Sequence, residues 1–402
     1  MNYMLRCSGC GTEYAPGVYS CSREDGVLEL DYGLSPRSSL RNDLPKLPGI
    51  WRYRDLLPDV EPVSLFEGNT PLIDSTVIGP ELGITLQFKD EGRALTGSFK
   101  DRAATVMLSV EKAFKHTAVV TASSGNAAGA IAAYAAAAGL DCYIGMFAPS
   151  REKLITAMSF NPTIFMVNTE RESVVAQLTR DASRELGWAM LNTAAADNPY
   201  AIEGYKTIIY ELYESLHMAD VIVAPAGSGS LLIGLWKGLR ELKTMKLIEK
   251  IPRLIGVQAT GCSPIVTAFE NDWENVRDAG KPETVAGGLV AADPGVTGTE
   301  ALRSVKRTKG AMLRVDDADI LSMLHRLPQT EGVFTGPSGV VSVAGVGRAV
   351  SEGLIREGEH VVCLVTESGF KDMGLISQSL TAPVEVEPRL ASLVSGLKNE
   401  SD

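Results

Sequence analysis

Lys100 has the most chemistry to offer. It lies in Thr96-Gly97-Ser98-Phe99-Lys100-Asp101-Arg102, where glycine permits a tight turn and a helix over 101–112 follows. A primary amine at a helix start, beside the ligand edge of a sheet, suits imine formation, because desolvation favours its neutral form. The heptapeptide alone reads first as carrying a solvated surface lysine, as most lysines are. Three further segments carry polar groups in the same kind of setting. Thr121-Ala122-Ser123-Ser124-Gly125-Asn126 ends an apolar run and opens an Ala-rich helix. Its amides and hydroxyls make an anion site sized for a carboxylate, or else a plain N-cap. Pro225-Ala226-Gly227-Ser228-Gly229-Ser230 follows a strand and precedes a helix, so successive amides either cradle a phosphate or form an ordinary βα turn. Thr366-Glu367-Ser368-Gly369-Phe370-Lys371-Asp372 places the neutral Thr366 hydroxyl where a ligand could meet it, or is a capped loop.

The elements that must hold these segments alternate between short apolar strands and amphipathic helices. Strands are expected at 84–88, 118–121, 142–147, 164–167, 221–224, 254–258 and 361–365, with helices between most of them, for example at 127–137 and 231–242. Such alternation implies an α/β fold of parallel sheets with helices on both faces and ligands beyond the carboxyl ends of the strands. A length of 402 residues is too great for one simple core, so two parallel-sheet lobes and an appendage are expected. The formal charge of −11 argues against a nucleic-acid surface. No apolar run reaches the roughly 18–20 residues of a membrane span. The start shows no secretion signal, and six cysteines are too sparse for a disulfide framework, so a cytoplasmic location is expected.

Residues 1–45 form the expected appendage. Cys7-Ser8-Gly9-Cys10 followed by Cys21 supplies three quarters of a zinc ribbon, and Glu24 stands where the fourth ligand belongs. Structural zinc sites usually close with four cysteine or histidine ligands. A degenerate ribbon that folds without metal is therefore expected; the alternative is a site of three cysteines and one glutamate. A linker over 44–57, with Pro45 and Pro48, leads to the main body, and 389–402 is expected to be a flexible tail. His116, His217, His325 and His360 form no catalytic pattern, and Cys262 is expected to be a small buried residue.

Taken together, the four segments resemble the fold-type II pyridoxal-phosphate enzymes, and within them the threonine synthases. The match runs over roughly 60–375. It includes Glu67-Gly68-Asn69-Thr70-Pro71-Leu72, similar to the family's entry motif, and Glu203-Gly204-Tyr205-Lys206-Thr207, similar to its Glu-Gly-Gln-Lys-Thr. The resemblance implies a small lobe at 98–205 carrying the Schiff-base lysine and a large cofactor-binding lobe made of 46–97 and 206–388. It implies pyridoxal 5'-phosphate held by Lys100, with Phe99 on its ring and Asn126 at its ring oxygen. Gly227, Ser228, Gly229 and Ser230 would take its phosphate, and Thr366 its ring nitrogen. Ser123, Ser124 and Gly125 would take the substrate carboxylate. A homodimer acting on a small amino acid is implied as well.

One region departs from the family. Threonine synthases carry a pattern resembling Asn-Ser-x-Asn-Pro-Tyr-Arg for the substrate phosphate, and the corresponding stretch here is Ala195-Ala196-Asp197-Asn198-Pro199-Tyr200-Ala201. A threonine that follows the family's Ser/Thr-Gly-Asn is here Ala127. An arginine fork binds phosphate bidentately and alanine does not, so a non-phosphorylated substrate is expected unless Lys206 or Arg151 supplies the charge. The readings that follow are a threonine synthase or a relative with shifted specificity; an amino-acid ammonia-lyase or β-replacement synthase; and, more distantly, a non-catalytic binding protein on the same fold.

Overall fold

The computed structural model describes residues 2–23, 26–36, 38, 40, 49–169, 171–215, 218–378 and 380–399. Glu24, His217 and the stretch 44–48 of the expected linker lie outside the described residues.

The chain opens with β1 (Met4–Cys7), β2 (Glu13–Tyr14) and β3 (Leu28–Asp31), a small antiparallel sheet in the order β2-β1-β3. Next come β4 (Leu72–Asp74), α1 (Ile78–Glu81), β5 (Thr85–Asp90) and α2 (Lys100–Ala113). The following stretch alternates: β6 (Ala118–Ala122), α3 (Asn126–Ala138), β7 (Asp141–Met146), α4 (Arg151–Met158), β8 (Thr163–Met166), α5 (Glu172–Leu186) and β9 (Ala189–Met190). Its strands form a parallel sheet in the order β8-β7-β6-β9. Then come α6 (Tyr200–Glu214), β10 (Val221–Pro225), α7 (Ser230–Thr244), β11 (Arg253–Ala259), α8 (Pro264–Glu270), α9 (Gly295–Arg307) and β12 (Ala311–Val315). The chain continues through α10 (Asp317–Glu331), α11 (Pro337–Ser351), β13 (His360–Val365), α12 (Met373–Ser377) and α13 (Leu390–Asn399). A second sheet runs β12-β11-β10-β13-β5-β4, parallel except for β4.

Continuous apolar runs mark strands covered on both faces. All of β10 is buried, and Val223 pairs with Ile255 on one side and Cys363 on the other. The edge strands carry weaker signals: β12 includes Arg314, and β9 has two residues, so the periodicity that exposes the central strands misses both. Across the expected 205/206 lobe boundary runs a single helix, α6. Within the expected tail, Leu390, Leu393 and Val394 share one exposed helical face of α13. Among the described residues no helix is long and apolar enough to cross a membrane.

Two buried charge systems flank the start of α2. Arg102, fully buried, bonds Glu91 at 2.7 and 2.8 Å and Glu211 at 2.8 and 2.7 Å. Lys89 adds a 2.7 Å bond to Glu211, and Thr70 a 2.6 Å bond to Glu91. Burial alone would raise the Glu211 carboxyl, but Arg102 and Lys89 hold it well below the ordinary carboxylate range. The backbone beside Arg102 is just as tightly fixed: a Cβ at Gly204 on α6 would lie 1.9 Å from the Arg102 carbonyl oxygen.

Candidate active site

The loop 96–99 and the loop after β13 are stitched together through their backbones. The Phe99 amide donates to the Thr366 oxygen at 3.1 Å, Ser368 N donates to Gly97 O at 2.9 Å, and Ser98 bridges Glu367. Gly97, at φ +78°, supplies the left-handed turn. Asp101 then receives the Thr96 amide at 2.8 Å and its hydroxyl at 2.5 Å, which fixes the first turn of α2. Lys100, the first residue of α2, is thereby aimed away from the Arg102 network. Its Nζ donates to Tyr205 OH at 3.0 Å and to Thr193 Oγ1 at 3.1 Å, and lies 4.7 Å from the Phe99 ring centre. Burial pushes the Tyr205 phenol up, so it meets the amine as a neutral hydroxyl.

The loop after β6 approaches from the small sheet. Ser124 donates to the Phe147 oxygen at 2.5 Å and accepts its amide at 2.9 Å, so the Ser124 hydroxyl is committed to the neighbouring loop. Gly125 N donates to Ser123 Oγ at 3.2 Å. Any anion here would meet the remaining amides at the N-terminus of α3 rather than the Ser124 side chain. Asn126 donates to Glu367 Oε2 at 2.5 Å, whereas its own Oδ1 is buried without a protein partner. The segment after β10 joins the same space: Ser230 Oγ accepts the amide of Ala195, in the loop that carries Thr193, at 3.0 Å. Gly229, at φ +100°, presses against α9, where an added Cβ would lie 2.3 Å from Ala301. Thr366 is buried at the end of β13.

Phe99, Lys100, Thr366, Asn126 and the Gly227–Ser230 turn are thus linked by neighbouring contacts. The set fits a phosphorylated, carbonyl-bearing cofactor. Asn126 Oδ1 is an orphaned acceptor, and the Gly227, Ser228, Gly229 and Ser230 amides donate to no protein acceptor among the described residues. Those amides open a fifteen-residue helix, and the amine of Lys100 faces two aromatic rings.

Beside this space is the second charge system. Glu367 is fully buried and receives the Ser338 amide at 2.9 Å. Lys153 on α4 donates to both Asp372 oxygens at 3.0 Å and lies 3.9 Å from Glu367. Burial, reinforced by Glu367, pushes Asp372 up to about 6, and burial takes Asp101 up to about 6 as well. Lys371, buried against Gly97, is held below the ordinary lysine range by burial.

The alanine stretch gives no replacement for an arginine. Ala195 and Ala201 are fully buried. Asp197 accepts from Asn192 at 3.1 Å and lies 3.5 Å from Arg180. Lys206 is spent elsewhere, 2.6 Å from Glu203 and 3.1 Å from Glu241, and Arg151 is exposed at the start of α4.

Sequence reasoning missed Tyr205, Thr193 and Glu367. Tyr205 had a signal, since it stands where the resembling motif has glutamine; Thr193 and Glu367 become visible only once loops distant in the chain meet. His116 lies against Glu111, His360 bonds Gln87 at 2.7 Å, and Cys262 is buried. Cys7, Cys10 and Cys21 cluster in the N-terminal sheet region.

Comparison with known proteins agrees with this geometry. Residues 63–367 match a family described as "Pyridoxal-phosphate dependent enzyme". The chain is 32% identical to the threonine synthase of Methanosarcina acetivorans, covering 97% of this chain and 98% of that protein. It is 35% identical to the threonine synthase of Mycobacterium tuberculosis, over 85% of this chain and 94% of the relative. Among solved structures, maize serine racemase superposes with a TM-score of 0.64 at 21% identity, covering 83% and 94% of the two chains. The processed form of threonine deaminase isoform 2 from Solanum lycopersicum gives 0.65 at 18% identity, covering 77% and 87%. These two likenesses concern the fold.

Proposed function

Because this chain belongs to the pyridoxal-phosphate dependent enzyme family, we propose that it catalyses elimination or replacement at the β or γ carbon of an amino acid whose leaving group is not a phosphate monoester. The observation that carries this reading is the stretch from Ala195 to Ala201. It offers no cationic fork, and the neighbouring Lys206 is buried against Glu203 and Glu241. Charged hydrogen bonds contribute about 1.5–3 kcal/mol each, so their loss removes most of the affinity for a dianionic group.

In this reading Lys100 Nζ would hold the cofactor covalently, and the Gly227, Ser228, Gly229 and Ser230 turn would take its phosphate. Phe99 would pack on its ring, Asn126 would bond the ring oxygen, and Thr366 would offer the ring nitrogen a neutral hydroxyl. The bound cofactor supplies the electron sink that makes the substrate α-proton removable. Thr366 does not stabilise a protonated ring nitrogen as a carboxylate would, which favours loss of a leaving group over transamination or racemisation. The Ser123, Ser124 and Gly125 loop, at the N-terminus of α3, binds and orients the substrate carboxylate. Tyr205 and Thr193 hold the Lys100 amine in place and pass protons to and from its nitrogen. The division into a small lobe (98–205) and a large lobe (46–97 and 206–388) belongs to the same reading and is supported by the two separate parallel sheets.

The curated relatives favour a second reading, conversion of O-phosphohomoserine and water to threonine and phosphate. One experiment separates the two. Borohydride reduction of the vitamer-saturated protein, followed by peptide mapping, is expected to place a pyridoxyl adduct on residue 100. Turnover is then compared for phosphohomoserine, phosphoserine, acetylserine, threonine and serine. Preference for a non-phosphorylated member supports the proposal; preference for phosphohomoserine supports the second reading; absence of the adduct removes both.

A further inference from the structure

We propose that Cys7, Cys10 and Cys21 bind a thiophilic divalent cation of the zinc class. Their sulfur atoms all lie within 4.8 Å of one another, and Cys10 and Cys21 are 3.7 Å apart. Metal–sulfur bonds of about 2.3 Å in a tetrahedron set the sulfurs about 3.8 Å apart, whereas a disulfide requires about 2.05 Å. The observed spacing is that of neighbouring corners of a coordination tetrahedron.

The backbone supplies an independent observation. The amides of Gly9 and Cys10 donate to Cys7 Sγ, and the Arg23 amide reaches Cys21 Sγ at 3.4 Å. N–H groups aimed at sulfur orient it and serve as the outer contacts of a metal–sulfur site. The turn that aims them is closed by Cys7 N on Thr12 O at 2.9 Å and by Gly11 N on Cys7 O at 3.0 Å, with Gly11 at φ +70°. Gly26 closes over it so tightly that a Cβ there would lie 2.4 Å from Gly9 N. Soft thiolates select zinc-class ions over magnesium or calcium, and the half-buried Cys10 leaves the fourth position of the tetrahedron to a donor from solvent. The proposal departs from the expectation of a metal-free ribbon, because counting ligands along the chain does not show three sulfurs near coordination spacing.

The site is structural, and its effect reaches the catalytic face through packing. Ser8 bonds Glu300 at 3.0 Å, Tyr19 bonds Glu111 at 2.7 and 2.8 Å, and Tyr3 bonds Tyr200 at 3.0 Å. The ribbon thereby braces α9, α2 and α6, and the last two present Lys100 and Tyr205. Full-length protein is expected to carry about one zinc per chain by plasma mass spectrometry. Cobalt(II) exchange is expected to give thiolate-to-metal charge-transfer absorption, and Cys10→Ser and Cys21→Ser are each expected to lose both signals. Stripping the metal with chelator is expected to lower the melting temperature by about 5 °C. The proposal is overturned by less than about a tenth of an equivalent retained after zinc(II) loading and desalting. It is also overturned by a Cys10–Cys21 disulfide in the freshly purified chain, or by unchanged metal content in both variants. Stoichiometry is read on the wild-type chain, so a variant that fails to fold leaves the result decisive.

Discussion

Arg102 and Asp101 are neighbours in sequence, yet they belong to charge systems of opposite character. Behind α2, Arg102 is matched by Glu91 and Glu211, with Lys89 and Thr70 meeting the remaining oxygens. On the other side, Asp101, Glu367 and Asp372 share two lysines, two of the carboxyls are raised, and Lys371 is depressed. The first system is neutralised and serves as a fixed anchor. The second keeps charge partly uncompensated beside the loop that leads into Lys100, the condition in which protonation states respond to small changes.

The contrast can be tested by attacking each side in turn. The largest effect is expected from Lys100→Ala, which should cut turnover by about a thousandfold or more while shifting chemical denaturation by less than about 1 kcal/mol. A comparable loss of stability would merge the two regions into one. Arg102→Met should do the reverse, costing about 3–5 kcal/mol in urea unfolding because Glu91 is left buried without a cation and Glu211 keeps only Lys89. Retention of near-native stability would show that the anchor is not needed. Tyr205→Phe removes only the hydroxyl beside Lys100; about a tenfold fall in kcat, with KM nearly unchanged, is expected from steady-state kinetics.

The smallest effect concerns pH. Asp101 is raised in the folded chain to about 6, above the ordinary carboxylate value of about 3.9. The folded state therefore binds more protons between those limits, and the stability this gives is present below about pH 4 and lost as pH rises through about 6. Melting temperatures recorded from pH 7 down to pH 5 should rise in the wild type and rise less in Asp101→Asn. Equal slopes would remove Asp101 from the responsive system.

Much of this was legible in the sequence, for identifiable reasons. The central strands β10 and β13 are buried throughout or nearly so, and their unbroken apolar runs are hard to mistake. Glycines flanked by hydroxyls mark the turns at 97 and 227–230, where Gly97 at φ +78° and Gly229 at φ +100° take the left-handed backbone that favours glycine. Edge strands such as β12 need a neighbour to be recognised. Tyr205 was visible as an oddity without a role, since nothing local says that α6 will carry it to Lys100. Ser124 shows the limit from the other direction: its residue type suggested a ligand, and the fold spends its hydroxyl on Phe147.

The bare backbone contact at Gly204 has a mechanical consequence. With no room for even a methyl group between α6 and the Arg102 carbonyl, the two helices cannot slide past one another and form a single strut. Lys100 and Tyr205 ride on the same rigid piece. The 3.0 Å spacing of the Lys100 amine and the Tyr205 phenol is therefore set by the backbones of both helices.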